Sequence, residues 1–241
     1  MAPPSAISTA RPGLDPGRPS RSHYEATRAR VETYFDRTAT DAWARLTSDA
    51  PVSRIRATVR EGRNKMRAAI LARLPADLVG VSVLDAGCGA GQMTAELAAR
   101  GAMVTAVDLS PQLVEIAQSR LPDTYRSRVR FETGDMLAEG LGTFDAVVAM
   151  DSLIYYSRPD LASALDRLSA RAGQVVFTVA PRTPVLTAMW WAGRAFPKSD
   201  RSPVMVPQAY AALAAAVTGT LTQGQRIHSG FYIAECLELR R

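Results

Sequence analysis

The sequence predicts an α/β protein: a doubly wound parallel sheet, an antiparallel hairpin on its C-terminal edge, and a helical arm ahead of it. Three observations carry this. Five short apolar runs alternate with stretches of helical period between residues 81 and 180. The first run enters a glycine-rich turn, VLDAGCGAG at 83–91. The chain closes on two extended runs around a Ser-Gly pair, HSGFYIAECLEL. Strand–helix alternation places a parallel sheet between two helical layers, and right-handed crossovers wind it both ways.

Each element has its own warrant. Residues 1–22 are rich in Pro, Ser, Gly and Arg; they bury too little to offset the entropy of ordering, which predicts a disordered tail. Residues 24–36 and 52–74 carry apolar side chains three and four apart, which predicts two helices, the second capped by Asp49 or Ser53 and stopped by Pro75. The strand candidates are 81–86, 103–108, 129–134, 144–150 and 174–180. Helical stretches GQMTAELAAR, SPQLVEIAQSRL and RPDLASALDRLSAR separate them. The division expected is a tail at 1–22, an arm or lid at 23–75 and a ligand-binding domain at 76–241, with 181–208 inserted as a cap over the substrate.

Composition excludes more than it selects. The formal charge is +6, and Lys65 and Lys198 are the only lysines among 29 Lys and Arg residues. Arginine suits planar, bidentate contact with carboxylate or phosphate, on a small molecule, a nucleic acid or a membrane surface. The two cysteines, Cys88 and Cys236, form no disulfide framework, and a reducing compartment follows. His23 and His228 have no metal-ligand spacing with them, so no protein-bound metal is expected. No run of about 18 apolar residues exists to span a membrane, and the first 22 residues lack the apolar middle of a secretion signal. A cytoplasmic location is expected.

The glycine turn runs from the first strand into the first helix of the sheet. Gly87, Gly89 and Gly91 let the backbone approach a ligand, and helix amides face it. The spacing is G-x-G-x-G; a dinucleotide turn more often reads G-x-G-x-x-G, and Gln92 stands at that third place. Asp85 would repel a pyrophosphate but suits a ligand bearing an ammonium and a sulfonium. Asp108 ends the second strand, where a carboxylate can take both hydroxyls of a ribose. Asp135 follows the third strand, placed to accept from an adenine amino group, with the Met136 amide near a ring nitrogen. Singly, each aspartate reads equally well as a helix cap or a solvated turn; three at successive strand ends on one side of the sheet are harder to dismiss.

This set resembles the class I S-adenosylmethionine (SAM)-dependent methyltransferases over about residues 81–180, and implies their Rossmann-like sheet. The resemblance implies that Asp85, Gly87, Gly89 and Gly91 hold the methionine part of SAM. It gives the ribose to Asp108 with Leu109 and the adenine to Asp135 with Met136, and adds Met150. A narrower resemblance lies in VETYFDRTATDAWARLTSDAPVSRIRATVREGRNKMRAAIL, in MDSLIYYS (150–157) and in the closing SGFYIAECLELRR. These look like the magnesium-protoporphyrin IX O-methyltransferase family of the bacteriochlorophyll pathway. That implies methylation of one ring propionate to the monomethyl ester, magnesium only inside the substrate, contact with magnesium chelatase, and loose association with the inner membrane. Tyr34 and Tyr155 are the catalytic candidates; Tyr34 and Phe35 either close over SAM or only staple the arm to the core. Chlorophyll-pathway relatives often carry His where this chain has Tyr155, so the role of that histidine does not transfer.

The chemistry agrees with this resemblance. A propionic acid titrates near pKa ~4–5 and is already an oxygen nucleophile at neutral pH; no Ser–His or Cys–His pair is needed, and none is evident. A wide, flat ring with acidic edges needs an apolar wall and a few cations. TAMWWAGRAFPK (187–198) offers Trp190, Trp191 and Phe196 beside Arg194, although ordinary helix packing explains the same pattern. Three other readings stay open. A quinone or phenol methyltransferase would need a base. A nucleic-acid amino-methyltransferase would place Asn/Asp-Pro-Pro-aromatic after strand four, where this chain reads Asp151-Ser152-Leu153-Ile154. A non-enzymatic SAM-binding protein would keep the pocket without turnover.

Overall fold

The computed structural model describes residues 21–35, 47, 53–184 and 204–241. The tail at 1–20 and most of the substrate cap lie outside them. Helix α1 (Arg21–Tyr34) begins the described chain and buries only Thr27 and Val31, four apart on one face. Helix α2 (Arg54–Leu71) starts where Ser53 Oγ accepts the Arg56 N–H. It buries Gly62, Met66 and Ile70 at four-residue spacing. It ends three residues before the expected 74: Ala72 caps it through its backbone, and the chain has turned before Pro75 is reached.

The sheet has seven strands in the order β3-β2-β1-β4-β5-β7-β6. β1 (Ser82–Ala86), β2 (Met103–Asp108), β3 (Val129–Thr133), β4 (Phe144–Ala149) and β5 (Ala172–Val179) run parallel, as the alternation predicts. Helices α3 (Gln92–Ala99), α4 (Pro111–Arg120) and α5 (Arg158–Ser169) connect them. Ser110 and Ser157 cap α4 and α5 by accepting the backbone N–H three residues on, with proline in each first turn. β5 starts at Ala172 rather than 174.

The edge hairpin is β6 (Thr220–Ser229) and β7 (Tyr232–Arg240), with β7 antiparallel to β5. β6 is much longer than the quoted pattern suggests. As the outermost strand, in TLTQGQRIHS it buries only Leu221 and Ile227, and a bulge between Gln223 and Arg226 breaks its alternation.

Period-two alternation sends neighbouring side chains to opposite faces. Leu84, Ala86, Val147 and Phe177 pack with Leu161, Leu165 and Leu168 of α5 on one face. Val83, Val104, Val148 and Val176 pack with Met66 and Ile70 of α2 and Leu97 of α3 on the other. Beyond β5, Pro181 pairs with Gln208, and a short helix α6 (Tyr210–Ala214) leads into the hairpin. The order reverses between β1 and β4, so a crevice opens at their carboxyl ends, the usual ligand position in such sheets.

Candidate active site

The crevice is an open cleft with about 880 Å³ of empty space, lined by Asp85, Gly87, Gly89, Asp108, Leu109, Met136, Met150 and Tyr155 among others. The turn after β1 shapes its floor. The Gly87 and Cys88 N–H groups both donate to Val107 O, at 2.8 and 2.9 Å. Gly87 has φ +85°, and a Cβ there would sit 2.3 Å from Ser152 Cβ. Ser152 Oγ donates to Ala86 O at 2.7 Å, so the loops after β1 and β4 touch where only glycine fits. Gly91 caps α3 at φ +81° against Ala117 of α4 and supports the turn from behind.

Two carboxylates stand over this floor. Asp85 is 1 % exposed and accepts from Thr94 Oγ1 at 2.6 Å. Burial pushes its pKa up to about 7; the Thr94 hydrogen bond opposes the rise and the charge of Asp108 adds to it. Asp108 accepts the Gly89 N–H through Oδ2 at 2.8 Å and the Ser110 N–H through Oδ1 at 3.0 Å. Burial raises its pKa too, against the lowering effect of these backbone donors. A cationic ligand beside Asp85 relieves the burial penalty of an ionised carboxylate. The Leu109 N–H adds a third backbone donor, and of the roughly four acceptor positions of a carboxylate Asp108 keeps one for a ligand hydroxyl.

Asp135 follows β3 as expected, between Gly134 and Met136, which both line the cleft. Its own carboxylate turns to the arm. Oδ1 accepts Tyr24 OH and the Leu137 N–H, each at 2.9 Å, and Oδ2 accepts Arg28 Nη1 at 3.1 Å. The Tyr24 ring stacks on Tyr156 at 4.9 Å and 17°, and Tyr156 does line the cleft. Met136, next in the chain, is buried in the cleft wall.

The arm closes one side. Val31 and Phe35 line the cleft, and Phe35 meets Tyr155 edge-on at 6.3 Å. Tyr34, expected at the cofactor, packs edge-on against Phe35 at 5.1 Å and is not among the residues that line the cleft. Burial raises the Tyr155 pKa, and the nearby Asp151 carboxylate and Tyr34 add to the rise.

The loop after β4 holds a cluster that sequence reading largely missed. Asp151 has φ +59°, outside the range most side chains adopt. Its Oδ2 accepts Arg63 Nη1, and its Oδ1 accepts Tyr232 OH at 3.0 Å and Thr178 Oγ1 at 3.2 Å. Gly62 makes room: a Cβ there would lie 2.9 Å from Tyr232 Cγ. α2, β5 and the hairpin thus meet on one carboxylate. A glycine inside the helical pattern at 52–74 was the available signal. The expected substrate wall, Trp190, Trp191, Arg194 and Phe196, lies outside the described residues.

A family model described as magnesium-protoporphyrin IX methyltransferase C-terminus matches residues 149–241, and a methyltransferase domain model matches 83–172. The magnesium-protoporphyrin O-methyltransferase of Rhodobacter capsulatus is 57% identical over 221 residues, 91% of this chain and 99% of that one. The chain belongs to the magnesium-protoporphyrin O-methyltransferase family. Its Synechocystis member is 33% identical over 177 residues, 71% of this chain and 76% of that one. The crystal structure of magnesium protoporphyrin IX methyltransferase from Synechocystis with bound SAH superposes with a TM-score of 0.73 at 26% identity, covering 88% of this chain and 98% of that one. The fold is therefore the class I SAM methyltransferase fold. The domain match takes in the glycine turn, Asp108 and Asp135; the C-terminal match takes in Asp151, Tyr155 and Tyr232.

Proposed function

We propose that this chain transfers a methyl group from SAM to a propionate carboxylate of magnesium-protoporphyrin IX, giving the monomethyl ester in bacteriochlorophyll biosynthesis. The observation that carries this reading is the 57% identity, over nearly the whole of both chains, with the Rhodobacter capsulatus enzyme. The cleft supports it. Asp85 and the glycine turn would hold the methionine part, Asp108 and Leu109 the ribose, and Met136 the adenine with Asp135 at its rim. Met150, which lines the cleft, would flank the reacting end.

When bound, SAM supplies an electrophilic methyl on a sulfonium. The residues then need to bring a carboxylate into line with it and keep water out. Orientation of this kind can lower a barrier by roughly 7–11 kcal/mol. Opposite charges cancel as the new bond forms, so replacing bulk hydration with fixed contacts also helps. No base is required. Tyr155, its pKa raised by burial, stays protonated and can donate to the carboxylate. Asp151 is engaged by Arg63, Tyr232 and Thr178 and shapes the wall instead. The segment 181–208 would supply the ring wall through Trp190, Trp191, Arg194 and Phe196. Its ends support this: Pro181 pairs with Gln208, and Val206 N donates to Ile154 O at 2.8 Å, beside Tyr155.

Among the described residues no helix is long and apolar enough to cross a membrane. We place any membrane or chelatase contact at the level of handing over a hydrophobic ring. The deciding experiment mixes purified protein, SAM and magnesium-protoporphyrin IX and looks for one added methyl by mass. Transfer to a quinol or phenol with none to the porphyrin would overturn the reading. With both ligands saturating, the single-turnover rate should stay nearly flat from about pH 6.5 to 8.5, because the nucleophile titrates near ~4–5. A steep rise near neutrality would reveal a base and a different nucleophile.

A further inference from the structure

Resting on the cofactor reading above, we infer that Tyr24 and Arg28 of α1 are positioning residues for the adenine ring. They hold the Asp135 carboxylate at the rim of the cleft and so couple docking of the arm to binding of the cofactor.

The argument is a count of hydrogen bonds. An ionised carboxylate offers about four acceptor positions. Asp135 spends three: Tyr24 OH and the Leu137 N–H on Oδ1, and Arg28 Nη1 on Oδ2. One position remains, on Oδ2. Gly134 and Met136, on either side of Asp135, both line the cleft, which puts the carboxylate at its edge, next to any ring lying against Met136. A 6-amino group on that ring would supply one donor. Without the arm, Asp135 would keep only the local Leu137 N–H, which leaves its second oxygen free to turn to solvent.

Tyr24 is well placed for this work. Its ring is stacked on Tyr156, itself 1 % exposed, so the hydroxyl is presented by a rigid pair. The same face of the helix carries Val31 to the cleft two turns further on, so the helix that holds Asp135 also covers the cleft. Linkage then works both ways: a ligand that needs the ordered carboxylate favours the docked arm by the same factor as the docked arm favours the ligand.

The test uses the full chain and two ligands, S-adenosylhomocysteine and its 6-oxo analogue S-inosylhomocysteine, measured by calorimetry. The 6-oxo group offers an acceptor where the amino group offers a donor. Wild type should bind the adenosyl ligand about tenfold or more tightly than the inosyl ligand. Tyr24→Phe keeps the stack and removes the hydroxyl; it should cut that preference to about threefold or less while changing inosyl affinity little. Arg28→Gln should act in the same direction, and Asp135→Asn should abolish the preference. Hydrogen exchange of residues 21–34 should slow with the adenosyl ligand and much less with the inosyl one. If Tyr24→Phe weakens both ligands equally, or neither, while Asp135→Asn still removes the preference, the arm has only a structural role and the inference falls. If wild type shows no preference between the two, Asp135 does not meet the amino group and the inference falls as well. Failure of wild type to bind either ligand would instead overturn the cofactor reading on which it rests.

Discussion

Replacing Asp85 with asparagine separates what this carboxylate costs the fold from what it contributes to the ligand. Asp85 is 1 % exposed, and burial moves its pKa from the ordinary 3.8 to about 7. Between those values the folded group holds a proton that the unfolded group has lost. Stability therefore falls as pH rises from about 4 to about 7. Across the roughly two units from pH 5 to 7 the loss is about 3 kcal/mol, at ~1.4 kcal/mol per unit. Asparagine does not ionise and can still accept from Thr94 Oγ1, so Asp85→Asn should escape that loss. Urea unfolding of the free protein at about pH 5 and pH 8.5 reads it directly: the variant should gain about 3 kcal/mol on wild type between the two conditions. The cofactor should respond in the opposite sense. A cationic ligand selects ionised Asp85, so wild-type Kd for SAM should rise as pH falls below about 7, approaching tenfold per unit. Asp85→Asn should bind more weakly and lose that dependence. Parallel stability curves for the two proteins over this pH range would refute the reasoning, since they would mean that Asp85 does not carry the burial penalty.

Three further substitutions test the cleft. Asp108→Asn removes one charged acceptor beside the proposed ribose and should weaken SAM binding by about 2 kcal/mol, roughly thirtyfold, by calorimetry on folded protein; unchanged affinity would reject the ribose assignment. Gly87→Ala forces a Cβ into Ser152 at a left-handed φ, and thermal unfolding should show a loss of about 2–4 kcal/mol. Asp151→Ala strips Arg63 of its carboxylate partner and puts alanine at φ +59°; denaturant unfolding should show a loss of about 3 kcal/mol or more, while Asp151→Asn, which tolerates that φ, should lose less.

Most of the sheet was legible because its signals are local. Apolar runs such as VVFTV and the G-x-G-x-G turn depend on burial and backbone conformation within a few residues. β6 was only partly legible because an outer strand has a single neighbour and little to bury; Gln223, Gln225 and Arg226 in its middle are polar and exposed. The site divides in the same way. Asp85 and Asp108 could be placed because a strand end and the turn beside it determine where they point. Arg63, Thr178 and Tyr232 could not, because Asp151 gathers them from three elements up to 169 positions apart. Asp135 was located correctly along the chain, yet its partners Tyr24 and Arg28 sit 111 and 107 residues earlier, and no local pattern announces them.

The two N-terminal helices differ in how firmly burial holds them. α2 buries Met66, Ile70 and Leu71 almost completely, so undocking it would expose core-sized apolar surface. Among its described side chains α1 buries only Thr27 and Val31; its other ties are the Tyr24 ring stacked on Tyr156 and polar contacts, Tyr24 and Arg28 on Asp135 and His23 Nδ1 at 2.7 Å from Asp160. Water can replace partners of that kind at little net loss, because a typical hydrogen bond contributes only about 1 kcal/mol once its exchange with solvent is counted. A methyl transfer that gains from a dry site needs a cover that opens for a large flat ring and closes again. An arm held by polar contacts and one ring stack, with Val31 and Phe35 against the cleft, would suit both demands; an arm sealed by leucines would suit only the second.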